Sequence, residues 1–151
     1  MPDKLVKMLS TWFYVGNIPA APGTAASAVA VLLAVICSAH IFLYLLVLLA
    51  VTVLGFAVSG RMEDILGRKD PGCIVIDEVA GVLVALFLLP LNWPVVITAF
   101  FLFRAFDMFK IYPVNKFEQG KGGLGIMADD LVAGLYTNLV MQIAVRWAGI
   151  V

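Results

Sequence analysis

Long apolar runs alternate with short charged connections along this chain. Residues 22–59, PGTAASAVAVLLAVICSAHIFLYLLVLLAVTVLGFAVS, hold no acid, lysine or arginine. A helix crosses a bilayer core in about 20 residues, so this run is long enough for two short spans. The break between them is expected at Cys37-Ser38-Ala39-His40, with one long tilted helix as the alternative. Residues 60–78, GRMEDILGRKDPGCIVIDE, form the first charged connection. Within it MEDILGRK predicts a short interfacial helix, and Asp70-Pro71-Gly72 reads as a turn. Residues 79–90 are apolar up to Pro90 and the turn-like LNWP, where Trp93 suits the aromatic belt of a membrane interface. Residues 95–111 stay apolar until Arg104, Asp107 and Lys110. A second charged connection, YPVNKFEQGKGGLGIMADD, leads to a last span expected over roughly residues 130–150. The pattern predicts an all-α fold, a polytopic membrane bundle of about five short transmembrane helices plus a short interfacial helix. Residues 1–151 read as one integral membrane domain.

Composition agrees with this reading. The chain is 63% hydrophobic, against about 45–50% for a soluble domain, and its mean hydropathy is +1.05. Ten basic and ten acidic residues balance, so no basic excess points to nucleic acid. Cys37 and Cys73 have no metal-like spacing. The start, MPDKLVKMLSTWF, lacks an apolar core with a cleavage site, so no removable signal peptide is expected. With a cytoplasmic N-terminus, five spans place Lys4, Lys7, Arg61, Arg68, Lys69, Lys110, Lys116 and Lys121 on the cytoplasmic side. Only Arg146 and His40 then lie toward the other face, which is the positive-inside distribution.

The acids gather on the same side. Asp77 and Glu78 in IVIDEVAG, and Asp129 and Asp130 in GIMADDLVAG, each introduce an apolar run. Helix dipoles account for one acid per helix start. They account neither for the second acid of each pair nor for Asp107, which approaches a helix C-terminus. Carboxylates crowded together repel one another unless a cation lies between them. An oxygen-only set, with neither histidine nor cysteine, suits a hard cation such as Mg²⁺. The V-A-G that follows each pair also lets membrane helices approach closely.

FRAFDMFK spaces Arg104, Asp107 and Lys110 three apart. This is either a self-neutralising ladder or a set that holds a phosphate and adds a carboxylate to its cation. In APGTAAS, Gly23 permits close backbone approach, Thr24 is a plausible N-cap and Ser27 follows. Such a helix start is either a simple cap or a phosphate seat. No arginine follows Cys73 at the spacing of a cysteine-dependent phosphatase loop, and no D-x-D-x-T motif offers a phosphorylated aspartate. By elimination, metal-assisted attack by water remains. A small transporter or channel component binding a cation is the competing class, although polar groups on one face do not make a permeation path. A lipid phosphotransferase should carry D-G-x-x-A-R, which is absent.

Taken in order and spacing, PGTAAS, IVIDEVAG, FRAFDMFK and GIMADDLVAG resemble the phosphatidylglycerophosphatase A family over about residues 12–140. The chain departs from the family at Ala26, where glycine is common, and at Ile111, which intervenes before Tyr112-Pro113. The resemblance implies an Mg²⁺-dependent hydrolase of the bacterial inner membrane that converts phosphatidylglycerophosphate to phosphatidylglycerol. Carried over position by position, it implies metal ligands at Asp77, Glu78, Asp107, Asp129 and Asp130. Asp107, Asp129 and Asp130 are also the expected catalytic residues. The phosphate-binding set is Gly23, Thr24, Ser27, Arg104 and Lys110. The implied partner is a phospholipid whose acyl chains remain in the bilayer.

Overall fold

The apolar runs become helices of very unequal length. A computed structural model describes residues 1–109, 112, 122–147 and 149. Among these it contains six α-helices and no strand: α1 (Asp3–Ser10), α2 (Pro22–Cys37), α3 (Ile41–Leu66), α4 (Ile76–Leu86), α5 (Trp93–Phe109) and α6 (Gly123–Trp147). The 22–59 run breaks into two helices at residues 38–40, as expected for a helical hairpin. MEDIL, by contrast, is not a separate interfacial helix. It continues α3, which stops at Gly67 in the left-handed conformation (φ 64°), with the Gly67 N–H donating to Glu63 O at 2.8 Å. The short amphipathic helix lies instead at the N-terminus, where α1 packs on α3 and Asp3 pairs with Arg61 at 3.6 Å.

Among the described residues two helices, α3 and α6, are long and apolar enough to cross a membrane. At 1.5 Å per residue they measure about 39 Å and 38 Å. In α3 only 22% of the most apolar stretch is buried against the rest of the protein. Ile36, Phe42, Leu46 and Leu49 are each more than 60% exposed. A belt of this kind fits a lipid surround, because water would penalise so large an apolar surface. Helix α2 is apolar but shorter. At 11 residues, α4 is about 16 Å long and spans only half of a bilayer core. The expected count of about five spans is therefore not established by helix length.

That short helix is the centre of the bundle, with α2, α3, α5 and α6 all packed against it. Its apolar side chains, from Ile76 through Val79, Val82 and Leu83 to Leu86, are buried. Small residues let the neighbours close in. A Cβ on Gly134 of α6 would meet the Gly81 carbonyl oxygen of α4, and one on Gly81 would sit 2.6 Å from Asp130 O. Each V-A-G glycine thus faces the other motif.

Because α4 stops inside the bundle, its last carbonyls need donors away from water. Tyr44 Oη donates to Leu83 O at 2.7 Å, and Asn138 Nδ2 donates to Ala85 O and Phe87 O at 3.0 and 2.7 Å. Gln142 Nε2 adds a bond to Phe87 O at 3.2 Å. Removing the amide with Asn138→Leu is expected to destabilise the protein by about 1–3 kcal/mol, the cost of stranding a buried carbonyl. Denaturant unfolding in detergent measures this, and an unchanged midpoint would dismiss the capping role.

Candidate metal and phosphate site

The opposite end of α4 gathers the acids. Four helix ends and one loop meet there: the starts of α2, α4 and α6, the last turns of α5, and the connection between α3 and α4. The N-terminal segment braces that connection. Val75 N–H donates to Ser10 O at 2.9 Å, and Gly16 lies so close to Cys73 O that no side chain fits between them. The turn after α1 is held in part by Thr11, whose Oγ1 donates to Lys7 O at 2.7 Å and accepts the Tyr14 N–H at 3.1 Å. A fixed entry at Val75 sets the direction in which the first turn of α4 presents Asp77 and Glu78.

The second acid pair is placed differently from the sequence expectation. Helix α6 begins at Gly123, about two turns before residue 130, because Gly123 fits against the α3 backbone. A Cβ there would lie 2.6 Å from Phe56 O and 3.3 Å from Gly60 N. Asp129 and Asp130 therefore stand in the second turn of α6, beyond the N-terminal N–H groups. Simple dipole stabilisation does not explain them, since that effect fades within the first turn.

The five expected acids, each borne on a helix, line one cavity of about 170 Å³: Asp77, Glu78, Asp107, Asp129 and Asp130. Asp77, Glu78 and Asp130 each bring a carboxylate oxygen within 4.8 Å of the other two. At an effective dielectric of ~20, full charge on such a cluster costs roughly 3 kcal/mol per pair. A bound cation removes that cost. Asp77 Oδ1 and Glu78 Oε2 are buried and accept no hydrogen bond from the protein. The donor set and these unpartnered oxygens fit a hard divalent cation. Asp107 and Asp129 line the same cavity without belonging to that tight trio.

Cationic and backbone groups border the acids. Arg104 Nη1 lies 2.6 Å from Asp107 Oδ2, three residues along α5, and both side chains are 18% exposed. Gly23 touches the site directly, since a Cβ there would collide with Glu78 Oε1 and lie 3.4 Å from Arg104 Nη1. Thr24 is not the N-cap. That position belongs to Ala21 in the left-handed conformation, with Pro22 at N1, where its missing N–H is no loss. Thr24 is exposed on the first turn, outside the cavity lining. Ser27 is fully buried one turn deeper, its Oγ without a hydrogen-bond partner, and it does not line the cavity either. Lys110 lies outside the described residues. Asp70, expected only as part of a turn, lines the same cavity. Its signal was an acid in the turn just before IVIDE.

Basic residues cluster at this end as well: Lys4 and Lys7 on α1, Arg61 on α3, and Arg68 and Lys69 in the following connection. His40 and Arg146 lie at the other end, before α3 and in the last turn of α6.

A relative from Bacteroides thetaiotaomicron, named "Putative phosphatidylinositol-3-phosphatase", is 39% identical over 97% of this chain and 96% of its own length. Relatives named phosphatidylglycerophosphatase A are 33% identical in Haemophilus influenzae and 35% identical in Escherichia coli. Their alignments cover 94% and 85% of this chain, and 90% and 76% of the relatives. No solved structure matches. The phosphatidylglycerophosphatase A profile matches residues 8–145, and the chain belongs to that family of phosphatases.

Proposed function

We propose that this protein is an Mg²⁺-dependent lipid phosphatase of phospholipid biosynthesis. It removes the terminal phosphate of phosphatidylglycerophosphate, leaving phosphatidylglycerol, at the cytoplasmic face of the bacterial inner membrane, with its helices crossing as a multi-pass bundle. One observation carries the reading: Asp77, Glu78 and Asp130 converge at one end of a lipid-facing bundle. The names of the relatives support the substrate class.

In this reading Asp77, Glu78 and Asp130 hold the cation, and Asp129 adds to their charge. When bound, Mg²⁺ supplies Lewis acidity toward the phosphate and toward a water. Asp107, paired with Arg104 through Oδ2, accepts the proton of the attacking water. The water oxygen bonds to phosphorus as the bond from phosphorus to the glycerol oxygen breaks, and that oxygen leaves as the alcohol after taking up a proton. Arg104 neutralises phosphate charge as it develops, and Lys110 is assigned the same role. The start of α2 adds unbonded N–H groups at Gly23 and Thr24. The hydroxyls of Thr24 and Ser27 complete the proposed phosphate set. The acyl chains stay among the lipid-facing helices.

Phosphate release from phosphatidylglycerophosphate by purified protein in detergent tests this. Release is expected with Mg²⁺ and is expected to stop with excess chelator. Phosphatidylinositol 3-phosphate belongs in the same assay because of the Bacteroides relative's name, and preferential turnover of it would move the substrate assignment. Folded protein that releases phosphate from neither lipid would return the carboxylates to the cation-transport reading.

A further inference from the structure

We propose that Asp70 is a sixth carboxylate of the cation site, presented from the solvent side by the connection between α3 and α4. The proposal rests on the reading of the cavity as a divalent-cation site. Asp70 lines the same cavity as the five helix-borne acids but is itself exposed, whereas Asp77 and Asp130 are buried. The cavity also contains an independent sign of a ligand. Asp77 is 8% exposed, and its Oδ1 lies buried without a hydrogen-bond partner.

The backbone at Asp70 is held in an uncommon state. Its φ is 45°, in the left-handed region, and Pro71 follows. A proline disfavours helical conformations in the residue before it, so this geometry is unfavourable twice over. Neighbouring bonds hold it in place. Glu63 Oε1 accepts the Asp70 N–H at 2.7 Å, while the Glu63 carbonyl oxygen accepts the Gly67 N–H at 2.8 Å. On the far side, Ile74 N–H donates to Pro71 O at 2.9 Å. One residue of α3 thus fixes both the helix end and the aspartate at the cavity mouth. Strain maintained at such a position points to a function for the side chain it aims. A further negative charge beside five carboxylates is repulsive on its own and becomes favourable with a cation among them.

Mn²⁺ titration of purified protein in detergent, read by the electron paramagnetic resonance of the free ion, tests the assignment. Wild type, Asp70→Asn, Asp70→Gly and Asp130→Asn are compared, with the melting temperature of each recorded in chelator. Glycine suits φ 45°, so Asp70→Gly separates loss of the carboxylate from loss of the backbone geometry. Both Asp70 variants are expected to bind Mn²⁺ about tenfold more weakly, with metal-free melting like that of wild type. Wild-type affinity in both, alongside lost binding in Asp130→Asn, would overturn the role of Asp70 and leave the cation site standing. A wild-type protein that binds no Mn²⁺ would overturn both.

Discussion

Asp130→Asn is expected to lower phosphate release at least about a hundredfold while leaving the helical fold intact. Changes in the outer shell of a metal site commonly cost 10–100-fold, and a direct ligand should reach or pass the upper end. Asparagine keeps the size of the side chain and a carbonyl oxygen, so packing in the second turn of α6 is preserved. What disappears is one of the three negative charges gathered within 4.8 Å. The loss should appear in kcat/KM at fixed Mg²⁺ and be partly relieved by raising Mg²⁺, because the defect is in holding the cation. Circular dichroism verifies the fold. Full activity in a folded Asp130→Asn protein would remove the metal assignment.

Gly134→Ala is expected to destabilise the bundle by about 3 kcal/mol, the upper end of the usual range for overpacking. The added methyl would overlap the Gly81 carbonyl oxygen and lie 3.0 Å from its carbon and 3.2 Å from Gly81 Cα. These are backbone atoms, so no side chain can rotate away, and α4 and α6 must separate. Separation also draws Asp130 away from Asp77 and Glu78, so Mn²⁺ binding should weaken along with stability. Gly72→Ala is the control for unfolding, because a Cβ there meets nothing within 4 Å. Equal unfolding midpoints for the two variants, measured in mixed detergent and denaturant, would show that the helices have room the structure does not display.

The site was legible to different degrees for different residues. The acid pairs stood out because ionised groups beside apolar runs are costly and therefore rare. Asp107 and Arg104 were legible for the same reason, and the structure pairs them. Thr24 misled because a threonine near a helix start resembles a cap, whereas Pro22 at N1 puts the boundary three residues earlier, at Ala21. Asp70 was hidden in a Pro-Gly turn, where an aspartate usually needs no further explanation. Its place at the cavity depends on Glu63, seven residues back on another element.

Hydropathy along the chain alone determined the helical class, the hairpin break at residues 38–40 and the collection of charge at one end of the bundle. These follow from local composition, since a run of apolar residues in lipid must satisfy its own backbone as helix. Only the tertiary structure decided where helices end and which acids meet. Helix α3 runs on through MEDIL, and α6 starts early against the α3 backbone. The short α4 is tolerated because Tyr44, Asn138 and Gln142 reach its open carbonyls. Convergence of Asp77, Glu78 and Asp130 requires the close approach at Gly81 and Gly134. Such contacts join residues some fifty positions apart, and their energies depend on distances through space that no local pattern encodes.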